Sequence, residues 1–314
     1  MDLALCSAIQ FLQHREEGAM FKGSIPAVIT PFKGGAVDET AYQSLIEWQI
    51  EEGIDGIVAC GTTGESATLH PEEQFRVTQL CVEAVSGRIP VMAGGGSNST
   101  EKTIELTKGA KKAGADAALI VTPYYNKPSQ EGVYQHFKAV NDAVNIPIIV
   151  YNIPSRSVVD ITVETMARLA TLPNVVGVKD STNDLTRPLR ERQVIAEDFC
   201  WLSGDDPTGI AYLASGGVGC ISVTAIVAPR MCADMYRAWR EGDIKKAMAL
   251  QDRLMPLHTG LFSDANPGPV KYAVSLLGKC TPEQRLPMTE ISQAAKETVK
   301  GAMKAVGLLV DKAV

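Results

Sequence analysis

Residues 175–182 read VVGVKDST, an apolar run that ends on Lys179. A lysine ammonium is a poor nucleophile near neutral pH. The free amine attacks a carbonyl only once desolvation or a neighbouring cation has eased its proton away. The end of a buried strand supplies that desolvation, so Lys179 is a candidate Schiff-base former. It could equally snorkel to solvent or pair with Asp180. Tyr151 ends the preceding apolar run, where its phenol could lie beside the lysine head and move protons to and from a carbonyl adduct. Standing alone, it would read as a tyrosine capping the core. Arg156 follows in YNIPSR, on a loop stiffened by Pro154, where a guanidinium could take a carboxylate bidentately or simply face solvent. Thr62 and Thr63 lie between glycines in GTTGES, a setting for holding a small anion or for an ordinary hydroxyl-capped turn.

These residues must be carried by a scaffold that brings distant segments to one place. Short, nearly continuous apolar runs recur along the chain: SIPAVITP, DGIVACG, IPVMAGG, AALIVTP, IPIIVYNIP, VVGVKDS, FCWLSGD and GVGCISV. Continuous rather than alternating apolarity marks parallel strands covered on both faces. The intervening segments carry helix signals, with Asp38 as a cap and Gly53 as a stop, then Pro71 at a start and Gly87 beyond an end. Repeated strand–helix units favour a closed (β/α)8 barrel over a doubly wound open sheet, for which no GxGxxG fingerprint opens the first helix. AGGGSNST lacks the spacing and ending of a phosphate loop and reads as a tight strand exit. The expected organisation is an extension over 1–19, a barrel over 20–225 and a helical region over 226–314 packed on it. The amphipathic extension resembles neither a secretory signal nor a transit peptide, and Met20 could be the original start. In such a barrel the chemistry belongs at the C-terminal strand ends, and CGTTGES, TPYYN, YNIPSR, KDST and SGDD all fall there.

Composition narrows the function classes. A formal charge of −6 without a basic block argues against nucleic acid, although one or two placed cations suffice for a small anion. The 7 cysteines are odd in number and without a CxxC pair, which suggests reduced, mostly buried thiols in a cytoplasmic protein. No apolar stretch reaches the roughly 18 residues needed to cross a membrane. The 4 histidines, His14, His70, His136 and His258, are scattered without metal-ligand spacing. No GxSxG elbow supports a hydrolytic triad.

Taken in order, GTTGESATL, TPYYNKPSQEG, YNIPSR, GVKDST and LSGDD resemble the 4-hydroxy-tetrahydrodipicolinate synthases, or dihydrodipicolinate synthases, of the pyruvate-dependent class I aldolase superfamily. The likeness runs from about Phe21 onward and includes RLMPLH and RLPMT. One departure is Asp180, where many members carry glutamate.

The resemblance implies a lyase of the lysine and diaminopimelate pathway that condenses pyruvate with L-aspartate 4-semialdehyde and needs no cofactor or metal. Lys179 would form the imine with pyruvate. Tyr151, Thr62 and Tyr125 match the proton relay, with Tyr125 reaching in from a neighbouring subunit of a homotetramer. Thr63 matches a residue holding the pyruvate carboxylate, and Arg156 the residue recognising the semialdehyde carboxylate. Gly204 and Ile221 match backbone and wall positions near the lysine. Sister aldolases that cleave sialic acid or 2-keto-3-deoxy sugar acids generally lack an arginine at the position of Arg156. A non-catalytic barrel would be expected to have lost Lys179 or Tyr151.

The resemblance also bears on control. Many bacterial members bind L-lysine beside residues matching Tyr124 and Asn98, with a glutamate and two histidines clasping its charges. Here Tyr124, Asn98 and Ala67 are kept, but Lys102 replaces the glutamate, and Pro71 and Gln74 replace the histidines. His70 lies one place away. An ammonium in place of the carboxylate repels the ligand's cationic end, so weak or absent inhibition is expected.

Overall fold

In the computed structural model, which describes residues 20–310, each apolar run forms a strand. They are β1 (Gly23–Pro26), β2 (Ile57–Ala59), β3 (Val91–Gly94), β4 (Ala117–Val121), β5 (Ile148–Asn152), β6 (Val175–Asp180), β7 (Cys200–Ser203) and β8 (Gly219–Ser222). Every pairing is parallel, and the hydrogen-bonded order runs β1, β8, β7 and so on down to β2. A parallel bridge between Ala27 and Val58, with Val28 N–H donating to the Val58 carbonyl at 3.0 Å, closes the ring. The extension assigned to residues 1–19 lies outside the described residues.

Helices α1 (Glu39–Glu51), α2 (Pro71–Val85), α3 (Thr100–Lys112), α4 (Gln130–Ala143), α5 (Val163–Leu169), α6 (Arg187–Glu191), α7 (Gly209–Ala214) and α8 (Pro229–Arg240) follow the strands one by one. Their limits obey local chemistry. The Asp38 carboxylate accepts from Ala41 N–H at 3.0 Å to start α1, and Gly53 follows its end with φ +83°. Pro71 opens α2, where its missing N–H costs nothing. The AGGGSNST segment is a strand exit as expected: a Cβ on Gly94 would lie 1.9 Å from the Cys60 carbonyl oxygen, so glycine lets neighbouring strand ends approach.

Three more helices, α9 (Ile244–Gly260), α10 (Gly268–Leu276) and α11 (Gln293–Ala305), pack with α8 around a shared apolar cluster that includes Leu254, Val270, Val299 and Met303. The chain between α10 and α11 returns to the barrel mouth. There the Glu283 carboxylate accepts from the N–H groups of Gly34 and Gly35 at the tip of a small antiparallel ladder, Phe32–Lys33 with Ala36–Val37.

The barrel interior is a separate apolar layer built from Ile25, Val58, Met92, Leu119, Ile149, Leu202 and Ile221 among others. Alternate residues of a strand share a face. Two residues beyond Ile149 on β5 is Tyr151, and two beyond Gly177 on β6 is Lys179. The interior layer therefore ends, at the C-terminal rim, in the phenol of Tyr151 and the amine of Lys179.

Candidate active site

Tyr151 and Lys179 are directly paired across β5 and β6, as are Asn152 and Asp180 one step further. The Lys179 Nζ lies 4.2 Å from the centroid of the Tyr151 ring. The two residues are 7% and 6% exposed. Their contact is the cation–π kind, which favours a partly desolvated cation over a ring face. Among the described residues Lys179 has no carboxylate within ion-pair distance, so pairing with Asp180 is not what this structure shows. Asp180 turns to the other side of its strand. It accepts from Thr182 N–H at 2.8 Å and from the Tyr212 hydroxyl at 3.4 Å, and burial pushes its carboxyl above the usual range.

Above the pair opens a cavity of about 260 Å³ bordered by Thr62, Thr63, Tyr151, Arg156, Lys179 and Gly204. Six of the eight positions singled out in the sequence thus meet at one place. Gly204 is there because nothing larger fits: a Cβ would lie 2.0 Å from Ser181 Oγ and 2.9 Å from Lys179 Cε. Arg156 sits on a single helical turn, Pro154–Ser157, fixed by the Ser157 hydroxyl, whose oxygen lies 2.9 Å from the carbonyl oxygens of both Ile153 and Val159. Its guanidinium has no ion-pair partner among the described residues. The wall also carries Asp205, whose carboxylate is engaged by the Thr208 hydroxyl at 2.6 Å. Two cations against one occupied carboxylate suit a small anionic substrate.

Two positions fall elsewhere. Ile221, 1% exposed, lies in the apolar interior layer, and Val223, two residues along the same face, takes the wall. Tyr125 is 88% exposed with φ +71°, and it is not among the residues that border this cavity. Its loop is nevertheless ordered, since Asn126 Nδ2 donates to the Asn98 carbonyl at 2.9 Å.

One residue was not anticipated. Asn266 lines the cavity, and its Nδ2 donates to the Thr63 hydroxyl at 3.0 Å. The proline- and glycine-rich DANPGP between two helical segments marks a sharp turn, the only local signal that this stretch comes back to the barrel.

A second cavity of about 370 Å³ shares the Thr62, Tyr151 and Arg156 wall and continues to Ala67, Gln74, Lys102 and Tyr124. Gln74 is already committed, donating to the carbonyls of Ser66 at 2.9 Å and Leu69 at 3.2 Å.

Residues 20–306 match the dihydrodipicolinate synthetase family. The chain belongs to this family. A relative from Rhodospirillum centenum, named 4-hydroxy-tetrahydrodipicolinate synthase, is 62% identical over 290 residues, covering 92% of this chain and 100% of its own. Among solved structures, dihydrodipicolinate synthase from Aquifex aeolicus superimposes with a TM-score of 0.90 at 45% identity, covering 93% of this chain and 100% of that one. The chloride-inhibited synthase from Acinetobacter baumannii, solved with pyruvate, gives a TM-score of 0.89 at 44% identity over 92% of this chain and 99% of its own.

Proposed function

We infer that this chain is a lyase of the class I aldolase type that condenses pyruvate with L-aspartate 4-semialdehyde, the reaction of a 4-hydroxy-tetrahydrodipicolinate synthase in lysine and diaminopimelate biosynthesis. The observation that carries the residue assignment is Lys179: buried at the rim, beside a tyrosine ring and open to the cavity, with no carboxylate within ion-pair distance among the described residues.

The Lys179 amine attacks the keto carbon of pyruvate, and loss of water gives a protonated imine. That cation is the electron sink, so a proton leaves the pyruvate methyl group and an enamine forms without any cofactor. The enamine carbon attacks the aldehyde carbon of the semialdehyde, whose oxygen takes up a proton. Release from Lys179 and cyclisation complete the turnover. Tyr151, beside the amine, gives the carbinolamine hydroxyl its proton and later protonates the new alkoxide. Thr62, on the same cavity, links the phenol to the next relay member. Thr63 takes the pyruvate carboxylate, Arg156 takes the carboxylate of the semialdehyde, and Gly204 leaves room for the imine.

Tyr125 completes the relay from a second copy of the chain. Support comes from its own position: a tyrosine this exposed, on a pinned loop at the barrel mouth, has apolar area that a partner would cover. We therefore read the working unit as at least a dimer, assembled as a tetramer, acting in the cytoplasm without nucleic acid or membrane. No described helix is long and apolar enough to cross a membrane.

Borohydride reduction in the presence of pyruvate, followed by peptide mass mapping, tests the central assignment. The expected result is a lactyl-type addition on the peptide containing Lys179. Addition to another lysine, with Lys179 unmodified, would overturn it.

A further inference from the structure

The loop that presents Thr62 and Thr63 is an awkward piece of backbone. Cys60 and Glu65, at its two ends, have φ of +52° and +57°, a left-handed conformation unfavourable to residues with a Cβ. Gly64 between them is tightly enclosed, with the Val28 carbonyl oxygen 3.1 Å from where a Cβ would stand. The turn is closed by Glu65 N–H donating to the Thr62 carbonyl at 3.1 Å. Such a conformation persists only where its surroundings over-determine it.

What surrounds it is a buried ion pair. The Lys271 ammonium contacts the Glu65 carboxylate, and the two side chains are 0% and 2% exposed. The same C-terminal stretch adds one partner to each charge: Lys271 Nζ donates to the Glu283 carbonyl at 2.7 Å, and Arg285 N–H donates to Glu65 Oε2 at 3.3 Å. Lys271 also lies over the Phe32 ring at 4.1 Å. Removing two ions from water is expensive, and a hydrophobic pair of similar volume would often serve stability as well. Neither Glu65 nor Lys271 borders the cavity, so neither touches substrate. Asn266 does border it, and by donating to the Thr63 oxygen it leaves the hydroxyl hydrogen of Thr63 free to point at an incoming carboxylate.

We propose that Lys271 is a positioning residue: through its buried pair with Glu65 it fixes the turn that presents Thr62 and Thr63, and thereby sets how tightly the carboxylate of the keto acid is held. The proposal rests on the reading of Thr63 as the carboxylate contact given above.

The experiment uses the full-length chain, with steady-state kinetics in both substrates and Tm measured alongside. The double variant Glu65→Gln/Lys271→Met removes the charges together and leaves no ion unpaired. The pyruvate KM is expected to rise about tenfold or more, because small misplacements of a positioning group cost that much, while the semialdehyde KM stays within about twofold. Glu65→Asp keeps both charges, shortens the link by one methylene, and tolerates the left-handed backbone. It should raise the pyruvate KM in the same direction and serves as the test should the double variant not fold. A folded variant with an unchanged pyruvate KM, or one in which both KM values move equally, overturns the proposal. Borohydride trapping of pyruvate on the unmodified protein separates the two levels. Failure there would sink the activity itself, whereas success there with unmoved variants sinks only the role of Lys271.

Discussion

Lys179 and Lys271 are two buried lysines in near-identical settings with opposite fates. Each ammonium lies over an aromatic ring, at 4.2 Å from Tyr151 and 4.1 Å from Phe32. Each belongs to a regular element and is almost wholly removed from solvent. The difference is one carboxylate. Lys271 faces Glu65, while Lys179 faces an open cavity. Burial alone pushes the Lys271 ammonium toward its neutral form, and Glu65 opposes that push. A lysine with a buried counter-ion is a structural cation, and one without is available for chemistry.

The strongest way to break this comparison is to replace each lysine in turn. Lys179→Arg should lose nearly all activity, because a guanidinium cannot form the imine, and should leave the unfolding midpoint in denaturant little changed. Lys271→Met strands the Glu65 carboxylate and should lower unfolding stability by about 3–5 kcal/mol. Equal stability losses, or activity surviving in Lys179→Arg, would dissolve the distinction. Next in size, Tyr151→Phe removes the proton carrier but keeps the ring. It should reduce kcat by roughly 10²–10⁴-fold with pyruvate binding nearly intact, and a loss confined to binding would show a packing role instead. Arg156→Ala should act on the second substrate, raising the semialdehyde KM about tenfold or more, the worth of a charge-assisted hydrogen bond, and the pyruvate KM far less. The opposite order would favour a sister aldolase. The smallest expected effect lies in the neighbouring cavity. Lys102 there repels a cationic ligand, and Gln74 is already bonded to backbone. Initial rates with saturating substrates should hardly change as L-lysine is titrated into the millimolar range. Inhibition at sub-millimolar concentrations would defeat the charge argument.

The sequence made one of these lysines conspicuous and hid the other. Lys179 closes a run of buried-strand residues, a local pattern, and the eight such runs were enough to read the barrel and its chemical rim. Thr62, Thr63 and Arg156 stood out as polar residues just beyond strand ends, where each also read as an ordinary turn or surface residue, and Gly204 was marked only by the family resemblance. Lys271 sits in PVKYAVSLLG, where one charge on an amphipathic helix looks like a solvated face. Its partner Glu65 was in view within GTTGES, but the two are far apart in sequence and no periodicity links them. Asn266 is concealed in the same way, 203 residues from the hydroxyl it orients. Ile221 shows a different limit. A strand's face follows from alternation, but the depth at which its side chains emerge at the mouth depends on strand tilt and register, and Val223 reaches the wall instead.

The return of the C-terminal segment to the barrel mouth has a consequence for how the enzyme comes into being on the ribosome. A nascent chain that has emerged through Ser222 possesses all eight barrel strands, with Lys179 and Tyr151 among them. It still lacks Asn266, Lys271 and Arg285, which grip the threonine loop from the far end of the sequence. At translation rates of about 5–20 residues per second, a barrel complete in outline waits roughly three to thirteen seconds for the residues that hold this loop. The contacts that fix the threonine loop thus arrive near the end of synthesis, after the scaffold that bears Lys179.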